Sequence, residues 1–110
     1  MAKDLNIAIL MDFYGGLLTD KRYDAMDMYY NQDMSLAEIA EELDISRQGA
    51  RDLIKHGERR LTELEETLGL AKRFADIKSK IKSIKAVVES AEDFDGGEVI
   101  RILNEMEGII

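Results

Sequence analysis

The 110-residue chain has no cysteine, no proline and a single histidine. Without cysteine, disulfides and thiolate metal sites are excluded. One histidine cannot build a His-rich metal site, so no metal and no cofactor is expected. The absence of proline, with only eight glycines, leaves few chain breakers and favours long helices over many short strands. No apolar run reaches the length of a membrane span, and no basic-then-apolar leader opens the chain. A cytoplasmic protein without membrane insertion is the expectation. Phosphate loop, nucleophile elbow and metal motif are missing too. The acid pairs Glu41–Glu42, Glu65–Glu66 and Glu92–Asp93 are neighbours in sequence and so point to different helix faces, which makes them poor catalytic pairs. The chain reads as a non-enzyme.

Positive charge is also in short supply, with 15 basic against 23 acidic residues and a net charge of −8. Indiscriminate nucleic-acid binding needs a positive face that displaces phosphate counterions, and this balance argues against it. The distribution is uneven, however. Residues 46–60 carry five basic and two acidic side chains, while residues 35–45 carry four acids and no base. A second basic stretch runs from Lys72 to Lys85, with Asp76 as its one acid. Apolar residues make up 45% of the chain, enough for the core of one helical domain over residues 1–110. At this size roughly two-thirds of the unfolded surface can be buried, so leftover apolar helix faces invite a second subunit.

Six helical segments follow from the pattern. The first spans about 2–14, with Leu5, Ala8, Ile9, Asp12 and Phe13 near one face, and is stopped by Gly15 and Gly16 through left-handed geometry. Thr19 caps the second, to about Asn31, whose Tyr23, Met26, Tyr29 and Tyr30 form a broad aromatic face. Ser35 and Glu38 fit a capping box for a short helix to Leu43. Ser46 caps a longer helix to Leu68, and Gly69 ends it. A basic helix covers about 70–91. Asp95 with Glu98 repeats the capping pattern and opens a last helix to about Glu107.

The segment LAEIAEELDISRQGARDLI meets the physical requirements of a helix-turn-helix at about 35–57. Two steeply crossed helices need a small residue where their backbones approach, and Ala40 is in place. The turn needs a residue that tolerates positive φ, which Asp44 does less readily than glycine. Ile45 plugs the corner, and Ile39, Leu43, Ala50 and Leu53 supply the shared core. Ser46 caps the second helix and leaves its first turn free to enter a groove. Arg47, Gln48, Arg51 and Lys55 project outward. Arginine and glutamine are the side chains that read guanine and adenine edges through two hydrogen bonds. The candidate nucleic-acid-binding set is therefore Ser46, Arg47, Gln48, Arg51, Asp52, Lys55, Arg59 and Arg60, with the last two and Lys55 on the phosphate backbone.

The stretch from Ser35 to Leu61 resembles region four of bacterial sigma factors, a promoter-reading module. Across residues 10–70, LMDFYGGLLTDKR followed by MYYNQDMSLAEIAEELDISRQGARDLIKHGERRL resembles the YlxM family of helix-turn-helix proteins. That resemblance implies an all-α, cytoplasmic, dimeric protein. It also implies a link to the signal recognition particle, since family members are encoded beside that particle's genes. One departure stands out. Gly49 and Ala50 are small where related helices often carry alanine or larger and valine, and Gly49 costs about 1 kcal/mol of helix propensity relative to alanine.

Outside the motif, Phe74, Ile77, Ile81, Ile84, Val88 and Ala91 alternate at spacings of three and four, a narrow seam suited to packing within the chain or to a dimer. Lys72, Arg73, Lys78, Lys80, Lys82 and Lys85 surround it as a secondary basic surface for RNA or DNA backbone, or as a solvated face. His56 reads as a partly exposed polar residue. Tyr14, Tyr23, Tyr29 and Tyr30 read as core rather than base-stacking residues. Val99, Ile102, Leu103, Met106, Ile109 and Ile110 give the last helix an apolar face wide enough for a homodimer contact. The partners expected are DNA or RNA through the helix-turn-helix. The alternative is the signal recognition particle's GTPase or its RNA.

Overall fold

A computed structural model of the chain describes residues 3–90 and 96–109. Among the described residues there are helices and turns but no strand, so the all-α expectation holds. The chain divides into two compact units, residues 1–68 and 69–110.

The first unit is built on α4 (Arg47–Leu68), against which α1 (Leu5–Tyr14), α2 (Asp20–Tyr30) and α3 (Leu36–Leu43) all pack. α4 is amphipathic: Ala50, Ile54, Gly57, Leu61 and Leu64 recur every three or four residues and are its buried positions. They meet Met26 and Tyr29 of α2, Ile39 and Ala40 of α3, and Ile7, Met11 and Tyr14 of α1 in one apolar cluster. Full burial of a side chain such as Ile54 or Leu61 is worth about 1.5–3 kcal/mol, so α4 carries much of this unit's stability.

Local signals explain the element boundaries. Asp4 caps α1 by accepting from the amide of Asn6 at 2.9 Å, so the helix begins three residues later than the sequence suggested. The buried face of α1 is Ile7–Met11–Tyr14, whereas Ile9 is 52% exposed and Asp12 lies in solvent. α1 carries apolar residues on most of its circumference, so periodicity does not select a face, and the buried face differs from the one expected from sequence. Gly15 is a second correction. Its φ of −54° is right-handed, and the chain continues into a 3-10 turn over Gly15–Leu17. Glycine makes room there, since a Cβ would lie 3.0 Å from Cε2 of Tyr23 and the ring would have to shift by a few tenths of an ångström.

Thr19 caps α2, and at the far end Asp27 accepts hydrogen bonds from Asn31 and Gln32 at 2.7 and 2.9 Å. Those two amides hold the Asp27 carboxyl below its ordinary range. Tyr30 ends α2 half-buried. Burial, reinforced by the Glu58 carboxylate, pushes its phenol up to about 12.

In the second unit α5 (Leu70–Glu89) and α6 (Gly96–Ile109) pack on each other. Gly69 precedes α5 with a left-handed φ of 64°. Lys80 of α5 donates to Glu105 of α6, and Arg101 grips both Glu98 and Glu105 along α6. Ile102 is the one buried apolar side chain here among the described residues. The proposed capping residue Asp95 and the seam residue Ala91 lie outside the described residues.

Candidate nucleic-acid interface

The helix-turn-helix assembles as its residue types require. Ser35 accepts from the amide of Glu38 while Glu38 accepts from the amide of Ser35, both at 3.1 Å, which closes the capping box. The turn is a Schellman closure: Ile45 N–H bonds Ala40 C=O at 2.9 Å and Asp44 N–H bonds Glu41 C=O at 3.2 Å. Asp44 takes the left-handed conformation at φ 53°, as the sequence led us to expect. Ile45 packs against the same cluster as Ala40 and Ala50. Ala40 at 6% exposure and Ala50 at 0% are both small and buried, as a close approach of α3 and α4 requires.

Ser46 opens α4, its hydroxyl accepting from the amide of Gly49 at 2.9 Å. A Cβ on Gly49 would lie 3.2 Å from that same oxygen. Glycine therefore leaves room for the cap, at some expense of helix propensity. The hydroxyl is engaged in shaping the helix start.

The outward side chains of α4 follow from its 100° step per residue. Arg47, Gln48, Arg51, Asp52, Lys55, His56, Arg59 and Arg60 are all exposed. Gln48 and Lys55 lie near the line opposite the buried stripe, with Arg47 and Arg51 to one side and His56 and Arg60 to the other. Gln48 donates to the Asp52 carboxylate at 2.9 Å, one turn on. That bond orients the glutamine and puts a negative charge in the middle of the outward face. Arg60 approaches Glu63 at 3.8 Å. Among the described residues no carboxylate lies within ion-pair distance of Arg47, Arg51, Lys55 or Arg59. These four cations share one helix and are held by a rigid core.

Arg22 of α2 comes to the same side as His56, Arg59 and Arg60, and with Glu63 the five line a shallow cleft of about 290 Å³. Sequence reasoning missed Arg22, which sits 25 residues before the recognition helix with no local signal tying it there.

On the second unit, Lys72, Arg73, Lys78, Lys82 and Lys85 are exposed on α5, whereas Lys80 is drawn into its bond with Glu105. The two basic regions belong to different units. Among the described residues no group of three or more His, Asp or Glu side chains is placed to hold a metal ion, and no helix is long and apolar enough to cross a membrane.

Residues 1–96 match the model of the UPF0122 family, "Putative helix-turn-helix protein, YlxM / p13 like". Curated relatives carry the same family name. A protein of Thermoanaerobacter sp. (strain X514) is 45% identical over 103 residues, 93% of this chain and 88% of the relative. One of Acetivibrio thermocellus is 40% identical over 109 residues, 96% of this chain and 93% of the relative. One of Caldanaerobacter subterraneus subsp. tengcongensis is 49% identical over 84 residues, 76% and 72% respectively. The chain belongs to the UPF0122 family.

Proposed function

We propose that this UPF0122 protein binds duplex DNA by placing the first turns of α4 in the major groove, and that it acts as a regulator. The observation that carries the reading is the set Arg47, Arg51, Lys55 and Arg59, which lack a carboxylate partner among the described residues although the chain holds 23 acids and 15 bases. In so acidic a protein, unpaired cations on the outward side of one well-anchored helix mark a surface kept for an external anion. The helix start is also the positive end of the helix dipole, which favours phosphate. The groove favours DNA over duplex RNA, because the A-form major groove is too deep and narrow for side chains to read.

Arg47, Gln48 and Arg51 lie nearest the helix tip and take the base-reading role; Lys55, Arg59 and Arg60 take phosphates. Asp52 either orients Gln48 or accepts from a cytosine amino group. Anisotropy titration of labelled duplex DNA tests this. Affinity should fall steeply with salt, and Arg47→Ala with Arg51→Ala should weaken it by at least tenfold. Absence of binding at low salt would sink the reading.

A second copy fits the second unit. Ile81 and Val88, seven apart on α5, and Ile100 and Leu103 on α6 are 40–58% exposed. A helix pair that buries one apolar side chain among its described residues gains little from its own core. Self-association through this face would supply the two recognition helices that helix-turn-helix proteins bring to paired half-sites. Light scattering should give twice the chain mass at micromolar concentration, and Val88→Glu should give the single mass; a wild-type monomer would remove the dimer.

A second reading follows from α5. Arg73, Lys78, Lys82 and Lys85 have no ion-pair partner among the described residues, which suits contact with the signal recognition particle RNA or, through the acidic remainder, its GTPase. Pull-down with each component should retain the RNA or the GTPase, and retention of neither would remove this reading.

A further inference from the structure

The cleft lined by Arg22, His56, Arg59, Arg60 and Glu63 brings a cation of α2 beside those of α4. Its cations come from two elements. Arg22 lies in the first turn of α2, and the others lie in the third and fourth turns of α4. No carboxylate of the described residues lies within ion-pair distance of Arg22 or Arg59, and Glu63 reaches Arg60 at 3.8 Å. Three guanidiniums and an imidazole thus line this cleft with one carboxylate, while Arg59 and Glu63 also border a neighbouring cleft with Asp4, Glu58 and Glu66.

Position along α4 decides what such a cleft can touch. At about 1.5 Å per residue, Arg59 stands about 18 Å behind Arg47. The major groove is about 8.5 Å deep. With Arg47 at the base edges, the cleft lies outside the groove mouth, and an α4 that enters the groove obliquely brings it beside the sugar-phosphate rim. Angular position decides which rim. His56 and Arg60 lie on the opposite side of the Gln48–Lys55 line from Arg51, so they face the wall that Arg51 does not.

We propose that this cleft seats a backbone phosphate of the bound duplex, with Arg22 and Arg59 as its principal donors and His56 and Arg60 completing it. Arg22 thereby ties α2 to the same DNA that α4 reads and fixes the angle at which α4 enters the groove. The inference rests on the duplex-DNA reading.

Two measurements test it and separate its failure from failure of that reading. The first is the salt dependence of affinity for a labelled mixed-sequence duplex. Arg22→Ala should weaken binding several-fold at low salt and reduce the log–log salt slope by about 1, the signature of one lost phosphate contact. Lys21→Ala removes the same charge from the neighbouring exposed position outside the cleft and should leave the slope unchanged. Equal behaviour of the two variants would overturn the proposal. The second is an NMR titration with inorganic phosphate. His56 is the single histidine of the chain, so its ring signals report the cleft alone. Saturable shifts in the wild type that disappear in Arg22→Ala support the seat, and an unmoved ring overturns it. If the wild type binds no duplex at low salt while the ring responds to phosphate, the DNA reading fails and the anion seat stands. Circular dichroism of Arg22→Ala should match the wild type, and Arg59→Ala gives an independent variant with the same expected loss of slope.

Discussion

Asp52 and Gly57 show how single residues set what α4 does. The Asp52 carboxylate sits among cations on the outward face and accepts from Gln48. On the proposed DNA reading it would oppose phosphate wherever a duplex approaches out of register, and so would discourage non-specific binding. Asp52→Ala should therefore raise affinity for mixed-sequence duplex several-fold, while Gln48→Ala should leave it within about twofold; anisotropy at fixed salt measures both. Gly57 faces inward. A Cβ there would lie 2.9 Å from Cγ and Sδ of Met26, a residue with no exposed surface. Alanine would gain about 1 kcal/mol of helix propensity, but forcing Met26 aside costs about 1–3 kcal/mol. The net expectation for Gly57→Ala is a loss on the order of 1 kcal/mol, seen as a melting temperature lower by about 4–8 °C. A raised melting temperature would show that Met26 yields freely.

At the scale of elements, the helix-turn-helix was legible from sequence because each of its requirements is local. Ser35 and Glu38 satisfy amides three residues apart, Asp44 adopts a backbone region that its own side chain permits, and Ser46 caps the turn it precedes. The buried face of α1 was not legible, because most of its faces are apolar and the choice is made by α4, more than thirty residues away. Gly15 and Gly57 were misread or passed over for the same reason: what they make room for, Tyr23 and Met26, is fixed by tertiary contact. The α5–α6 pair depends on charge at its surface. The Lys80 hydrogen bond, helped by the Lys80 and Arg101 charges, holds the Glu105 carboxyl below its ordinary 4.5. A lowered folded-state value stabilises the pair above the ordinary value, and that stabilisation is lost as pH falls below it. Melting temperature should consequently drop less steeply between about pH 5 and pH 3 in Glu105→Gln than in the wild type. Parallel curves would mean that the bond contributes nothing to stability, as many exposed pairs do not.

For the whole molecule, the candidate site was legible in part. The basic run after Ser46 stood out against an acidic chain, so Arg47, Gln48, Arg51 and Lys55 could be named from spacing alone. The sequence could not show that Asp52 would hold Gln48, that Lys80 would be drawn to Glu105, or that Arg22 would join Arg59 and Arg60 at one cleft. Each of these depends on where separate turns or separate helices meet. The resulting division of labour is specific. The first unit presents a cationic helix on a buried apolar core, and the second presents exposed apolar and basic faces. The central claim concerns the first. It is tested most directly by titrating labelled duplex DNA with the wild type and with the Arg47→Ala, Arg51→Ala double variant, at low and at physiological salt. Salt-sensitive binding that the double substitution weakens by at least tenfold is the predicted result. Binding indifferent to the double substitution, or none at low salt, would contradict it.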